Sequence, residues 1–222
     1  MRRLLLSLVL LSLAPVTHAA APLDLAPVKK WIARQDEIRT VQADFTQTRA
    51  LRALRSPVTS PGRLIFATPS LLRWELGNPA KTVVLRKGDT YWLIQPAKKK
   101  AQRLSASNIG QEGGVKGFAM MEFPLAKDFA DFQKKFEILD VKTEGPTCRL
   151  EILPRDAQAK KFLSALKIEF EVRSGHMLSM EMVTREGSSM RNEFSNVRTN
   201  EKLDRRVFDY DLTGFEVTEE KK

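Results

Sequence analysis

The stretch GRLIFATPSLLRWEL, residues 62–76, predicts two short strands joined by a turn. Leu64 and Phe66 are separated by one residue, and so are Leu72 and Trp74, so each pair lies on a single face of its strand. A Thr-Pro-Ser sequence between the two runs marks the turn. Because both strands carry an apolar face, this unit favours an antiparallel sheet whose inner face meets a core or a ligand.

The same period of two recurs along most of the chain. Short strands in series, with turn signals between them, favour an antiparallel sheet or barrel of roughly 9 to 11 strands. Further strands are predicted at 41–47, 82–86, 90–94, 137–142, 147–153, 163–173, 177–185, 188–197 and within 208–217. Residues 49–61 are predicted as a loop, because they are polar and contain two prolines.

Two segments break the strand pattern and predict helices. Residues 23–40 carry Val28, Trp31 and Ile32 at the spacing of an amphipathic helix. Apolar residues within 118–136 also recur at helical spacing, which predicts one or two short helices inserted into a β protein.

Residues 1–21 predict a secretory signal. Two arginines follow the initiator methionine, an apolar run covers 4–13, and small residues come next. The run is shorter than the roughly 20 residues that a membrane-spanning helix needs. Cleavage after Ala19 or Ala21 fits equally well. We therefore expect residues 22–222 to form a single domain in the periplasm.

The charge is strongly positive, with 37 basic and 27 acidic residues. A basic surface attracts nucleic acid, anionic lipid or an acidic partner. The signal argues against nucleic acid, and the chain has no motif of a nucleic-acid-binding domain. Apart from the three lysines at 98–100, the cations are scattered, which is typical of a solvated surface.

Residues that carry catalysis or bind metals are scarce. His176 is the only histidine after the signal, it lies in a predicted turn, and no G-x-S-x-G motif accompanies it. Cys148 is the only cysteine, and its alternation with Leu150 and Ile152 predicts a core position. No His or Cys cluster has the spacing of zinc ligands. We expect a binding module without enzymatic activity, metal or cofactor.

The middle of the chain leaves two interpretations open. Residues 105–117 are rich in Gly, Ser and Asn and could form a hinge, and a Met-containing apolar segment follows them. Methionine is flexible and polarizable, which suits a lid over varied apolar ligands. The alternative, which the pattern alone slightly favours, is that residues 118–136 cap a dry core.

The order of motifs resembles that of the outer-membrane lipoprotein carrier (LolA) family. A glycine, an apolar strand, a proline and an Arg-Trp pair follow the first strand, and a hairpin with an aromatic pair comes next. The matching segments are VQADFTQ at 41–47, GRLIF at 62–66, PSLLRW at 69–74, KGDTYW at 87–92, FDY at 208–210 and GFEV at 214–217. Together they span nearly the whole mature chain.

This resemblance implies a fold and a function. The family has an incomplete antiparallel β-barrel, a mainly β structure with some α, covered by a helical lid. It accepts lipoprotein acyl chains from an inner-membrane ABC-type release complex and carries them across the periplasm to an outer-membrane receptor. We expect a monomer whose acyl-chain site comprises Phe45, Leu64, Phe66, Leu72, Trp74, Val84, Trp92, Phe118, Met120, Met121 and Phe123.

One position departs from the family pattern. Family carriers usually have an arginine directly before the proline, and it ties the lid down by hydrogen bonds; here that lid-latch position is Thr68. Threonine is shorter and donates fewer hydrogen bonds. The departure leaves two alternatives open, namely a carrier of another lipid or glycolipid, and a periplasmic lipid-sensing regulatory protein.

Overall fold

A computed structural model of the chain describes residues 23–105 and 126–219. The predicted signal, most of the hinge and the lid residues Phe118, Met120, Met121 and Phe123 lie outside these described residues. Twelve strands in the described part form one sheet that does not close into a barrel. The strands are β1 Thr40–Ala50, β2 Val58–Ala67, β3 Leu71–Leu76, β4 Thr82–Lys87, β5 Thr90–Gln95, β6 Lys100–Ser105, β7 Phe136–Glu144, β8 Thr147–Pro154, β9 Leu163–Glu171, β10 Met177–Thr184, β11 Ser189–Thr199 and β12 Glu216–Glu219.

The mainly antiparallel, unclosed sheet confirms the predicted fold class, with two differences in detail. Its order is β12-β6-β5-β4-β3-β2-β1-β11-β10-β9-β8-β7, so β1 pairs with both β2 and β11 near the middle. There is one strand more than the 9 to 11 predicted, and β12 joins β6 in parallel. The parallel pair arises because the chain crosses a face of the sheet after β11 instead of turning back in a hairpin.

The predicted loop at 49–61 was too long. β1 continues to Ala50, and β2 already begins at Val58 and includes Pro61. Pro61 has no N–H to donate, but its carbonyl oxygen accepts a hydrogen bond of 2.7 Å from the N–H of Gly77. Pro61 also lies beyond the last residue that β3 contributes to the β2–β3 pairing, so the missing donor is tolerated.

Helices cover one half of the inner face, which is the face that carries Leu64, Phe66, Leu72 and Trp74. They are α1 Ala26–Gln35, α2 Phe129–Lys135 and α3 Ala157–Phe162, and the first two pack on the inner face. α1 buries Val28, Trp31 and Ile32 as predicted, but it is shorter than the predicted range because β1 begins at Thr40. The pattern did not predict α3.

The Trp31 ring fixes α1 on this half of the sheet. It stacks on Phe170 of β9 with centroids 4.6 Å apart and planes 8° from parallel. Its indole N–H donates to the Gly175 carbonyl oxygen at 3.1 Å. α1 and the β9–β10 turn are therefore held to each other.

The C-terminal segment, residues 200–215, covers the outer face of β2 to β6. Phe208 packs with Ile65 and Ala67, and Tyr210, Leu212 and Phe215 pack with Val83, Leu85 and Ile94. Arg73 of β3 donates to the carbonyl oxygens of Val207 and Asp209, at 2.8 and 3.2 Å. The chain itself therefore fills this part of the outer face, and the apolar cavity lined by Leu64, Phe66, Leu72 and Trp74 lies on the inner face.

Among the helices of residues 23–105 and 126–219, none combines the length and the hydrophobicity of a membrane span.

Candidate functional site

The inner face holds an apolar cavity of about 100 Å³ between the β1–β3 part of the sheet and α1 with the β9–β10 turn. Its apolar lining consists of Trp31, Ile38, Val41, Ala43, Leu64, Phe66, Leu71, Leu72, Trp74, Met177, Met180, Phe194 and Val197. Its other lining residues are Ser70, Arg86, Gly175, His176 and Thr199. A cleft with few polar groups binds apolar ligands.

Strand register brings the predicted residues of β2 and β3 together. Leu64 lies opposite Trp74, and Phe66 lies opposite Leu72. Directly opposed residues have Cβ atoms about 5 Å apart, so the four side chains form one continuous surface. The structure therefore places Leu64, Phe66, Leu72 and Trp74 side by side in the cavity lining, as their shared parity predicts.

Phe45 and Val84 pack against Trp74 without lining the cavity. The Phe45 ring stacks on Trp74 with centroids 3.9 Å apart, and Phe194 meets both rings edge-on at 6.2 and 6.4 Å. Val84 is fully buried and clusters with Trp74. Neither Phe45 nor Val84 lines the cavity itself, so they position Trp74 rather than offer surface to a ligand.

The position of Trp92 contradicts its predicted place in the acyl-chain site. Trp92 lies opposite Leu85 and packs with the outer-face cluster around Val83 and Ile94. Adjacent residues of a strand point to opposite faces, so only one member of the Tyr91–Trp92 pair can face inward. That member is Tyr91, which is buried with Trp74.

Fourteen of the eighteen lining residues were not among the predicted site residues. Met180 of β10 and Phe194 of β11 line the cavity, and so does His176, which is half-buried. The β9–β10 pairing shifts register between Met177 and Ser179, so parity along β10 does not show which residues face inward. The helical stripe in α1 identified Trp31 as a core residue, but nothing in the sequence indicated that it borders a cavity.

Comparison with known proteins decides the family. The family model "Outer membrane lipoprotein carrier protein LolA" matches residues 36–211. The chain belongs to the LolA family. A relative from Methylococcus capsulatus, an outer-membrane lipoprotein carrier protein, is 25% identical over 187 residues and is aligned over 84% of each chain.

A second relative and a solved structure extend the match over nearly the whole chain. An outer-membrane lipoprotein carrier protein from Pseudomonas paraeruginosa is 25% identical over 222 residues, covering 98% of this chain and 100% of that one. A crystal structure of an uncharacterized conserved protein from Thermus thermophilus superposes with a TM-score of 0.54 at 8% identity. It covers 89% of this chain and 100% of that chain. The similarity to the Thermus thermophilus structure shows a shared fold.

Two polar groups set the limits of the LolA-family cavity. The Arg86 guanidinium lies 5.2 Å above the Tyr91 ring, and its Nε donates to the Gly88 carbonyl oxygen at 3.0 Å. Farther along β1, the buried Gln47 donates from Nε2 to Asn192 Oδ1 at 3.0 Å. Arg86 places a cation in the lining, and the Gln47–Asn192 pair interrupts the apolar inner face toward the β1–β2 loop.

Of the two residues that the sequence offered for chemistry, His176 lines the cavity and Cys148 lies apart from it. Cys148 is buried in the α1–α2 core as predicted, and burial raises the pKa of its thiol, so it stays protonated. Within 23–105 and 126–219, no three His, Cys, Asp or Glu side chains are grouped closely enough to hold a metal ion.

Proposed function

We propose that this LolA-family chain is a periplasmic carrier that holds the acyl chains of lipoproteins in the inner-face cavity and shuttles them from the inner to the outer membrane. The observation that carries the proposal is the lining by Leu64, Phe66, Leu72 and Trp74, brought together by the pairing of β2 with β3. The relatives named outer-membrane lipoprotein carrier proteins support the same function. Binding of this kind needs no catalysis and no cofactor.

Affinity comes from apolar burial. Each methylene moved from water into an apolar site contributes about 0.8 kcal/mol. The cavity of about 100 Å³ is smaller than the roughly 300–1,000 Å³ of sites for drug-sized ligands. Its two sides must therefore move apart when an acyl chain enters. We place this motion between the β2–β3 wall and the unit formed by α1 and the β9–β10 turn.

The partners follow from the same proposal. A carrier that moves acyl chains between membranes needs a donor and an acceptor, for which we propose an inner-membrane ABC-type release complex and an outer-membrane lipoprotein receptor. Thr68 lies at the end of β2 that borders the cavity, and its N–H donates to the Arg39 carbonyl oxygen at 2.9 Å. We keep Thr68 as the proposed latch position. A single hydroxyl there would hold a lid less firmly than a guanidinium and would favour release.

Leu72→Glu tests the site. An unpaired carboxylate in an apolar cavity is costly by several kcal/mol, so uptake of an environment-sensitive fluorescent acyl probe should fall by at least about 100-fold. Leu178→Glu is the matched control, because Leu178 is exposed on β10 and lies outside the cavity lining. Its affinity for the probe should stay within about twofold of the parent, well under 1 kcal/mol.

Two results would decide against the site. If Leu72→Glu folds with an unchanged circular dichroism spectrum and still takes up the probe normally, the inner face is not where acyl chains bind. If both variants lose uptake equally, the loss reflects added negative charge and not the position of Leu72.

A second candidate is carriage of another lipid or glycolipid. Thr68 departs from the family arginine, and Arg86 places a cation in the cavity lining where an anionic headgroup could be held. Mass spectrometry of the protein purified from its native periplasm separates the two candidates. Co-purified lipoprotein supports the first, and a co-purified lipid without protein supports the second.

A further inference from the structure

The two ends of the sheet differ sharply in charge. Because the strands alternate in direction, their connections fall at two opposite ends. One end, here called the basic end, is formed by residues 51–57, 77–81, 96–99, 155–162 and 185–188, which carry nine Arg or Lys and two Asp or Glu. The other, the cavity end, is formed by residues 36–39, 68–70, 88–89, 145–146, 172–176 and 200–204, which carry three Arg or Lys and five Asp or Glu. Among these described residues the net charges are therefore +7 and −2.

The β1–β2 loop places large apolar side chains at the basic end. Leu51, Leu54 and Val58 are 41%, 46% and 39% exposed, and Arg52 and Arg55 lie between them in the sequence. The Leu54 N–H donates to the Leu51 carbonyl oxygen at 2.8 Å, which folds the loop into a turn. The loop therefore presents leucine and arginine side chains together at its tip.

Another exposed apolar residue lies at the same end of the sheet. Phe162, the last residue of α3, is 48% exposed and follows Lys160 and Lys161. Arg185 of the β10–β11 turn holds this segment, since its N–H donates to the Phe162 carbonyl oxygen at 2.8 Å and its Nε donates to the Lys160 carbonyl oxygen at 2.5 Å.

A hydrogen bond also ties the β1–β2 loop to the β10–β11 turn. The Arg52 N–H donates to Ser188 Oγ at 3.2 Å. The loop, the turn and α3 thus form one connected surface at the basic end.

We propose that the basic end docks on an anionic phospholipid bilayer. Cations combined with a few projecting leucine and phenylalanine side chains have the chemistry of interfacial membrane binding, in which Arg and Lys meet phosphates and apolar side chains enter the headgroup region. Leu51, Leu54 and Val58 belong to the β1–β2 connection and Phe162 belongs to α3, so the apolar side chains stand in small groups with cations beside them in the sequence. That arrangement fits insertion between lipid headgroups better than burial against a folded partner.

The docking surface is remote from the cavity. Ala43 lines the cavity and Ala50 ends β1, so seven residues of extended strand, about 23 Å, separate the cavity from the loop. A protein docked through its basic end keeps the cavity end directed away from the bilayer. Membrane docking and acyl-chain uptake are therefore separable, and this inference does not depend on the proposed cargo.

Vesicle co-sedimentation tests the proposal with residues 22–222, the chain without its predicted signal. The parent should bind vesicles containing 30% phosphatidylglycerol in phosphatidylcholine and should not bind pure phosphatidylcholine. Arg52→Ser combined with Arg55→Ser should weaken binding about 30-fold, at about fivefold for each cation near the surface. Leu51→Ser combined with Leu54→Ser should weaken it about tenfold or more.

The matched control is Lys30→Ser combined with Lys202→Ser. Both lysines are exposed and lie outside the basic end, and their loss changes the net charge by the same amount as the arginine pair. Binding of this control should stay within about threefold of the parent, since charges farther than a Debye length from the lipid are screened. Uptake of the acyl probe should be unchanged in all three variants, which separates this test from that of the cavity.

Three outcomes would overturn the proposal. The first is absence of binding to the anionic vesicles. The second is equal weakening of the loop and control variants, which would indicate attraction by net charge alone. The third is binding that requires membrane proteins in addition to lipid, which would identify the basic end as a protein-docking surface.

Discussion

Gly62 on β2 faces the ring of Phe45 across the β1–β2 pair, and the Phe45–Trp74 stack has no room for a side chain at that position. A methyl group built on Gly62 would overlap the far edge of the Phe45 ring. It would also lie 2.5 Å from the Glu75 carbonyl oxygen. Gly62→Ala should therefore destabilise the fold and displace the aromatic stack under the cavity.

The size of the destabilisation depends on whether the Phe45 ring and the Glu75 carbonyl group can move away from the added methyl group. Overpacking of a core typically costs 1–3 kcal/mol, and we expect about 3 kcal/mol here because one of the two obstacles is backbone. For a chain of this length, that corresponds to a fall in Tm of roughly 6–12 °C. A shift of the Phe45 ring would press on Trp74, because the two ring centroids are already 3.9 Å apart. The displaced indole should weaken uptake of the acyl probe about fivefold, equivalent to about 1 kcal/mol.

Thermal and urea unfolding measure the loss. Gly88→Ala is the control, because a methyl group there meets no atom within 4 Å, although φ is +60°. It should cost only the backbone strain of about 1–2 kcal/mol. In a double-mutant cycle, Phe45→Ala should relieve part of the Gly62→Ala penalty, with a coupling of at least about 1 kcal/mol. A Gly62→Ala protein as stable as the parent, or strictly additive losses in the cycle, would refute the packing argument.

Two further predictions concern the opposite faces of the sheet. Trp92→Phe should leave the change in tryptophan emission on acyl-probe binding intact, whereas Trp74→Phe should remove a large part of it; equal effects would contradict the placement of Trp92 on the outer face. Burial by itself raises the pKa of Glu169, but hydrogen bonds from Arg191 and Ser179 and the charge of Arg191 outweigh it and lower that pKa. The stability from this group is present above the unfolded pKa of about 4.3 and is lost as the pH falls through the lower folded value. Glu169→Gln should therefore reduce the free energy of unfolding by about 1–2 kcal/mol at neutral pH and by much less near pH 3, and an equal loss at both pH values would exclude this linkage.

Local patterns in the sequence were enough to predict most of the strands and the inward side chains of β2 and β3. Strand alternation is a property of the backbone, so Leu64, Phe66, Leu72 and Trp74 could be assigned to one face without knowing the partner strands. The same reasoning placed Cys148 in the core and the Val28–Ile32 stripe against the sheet. It failed at Pro61, because proline excludes a strand only where its N–H would be needed.

Local alternation and the order of motifs were sufficient to predict most strands, one apolar face and the resemblance to the LolA family. Which apolar side chains border the cavity and which are packed beneath it depends on contacts between strands that are distant in the sequence. Phe45 and Val84 also point to the inner face, yet both are buried beneath the cavity surface, because Phe45 stacks on Trp74 and Val84 lies opposite Trp74 in the β3–β4 pair. Trp92 faces outward because the C-terminal segment covers the outer face, which gives an aromatic residue there an apolar environment. The difference in charge between the two ends of the sheet also depends on long-range pairing. The charged residues of each end come from connections that are distant in the sequence, and the antiparallel strand order brings these connections to the same end.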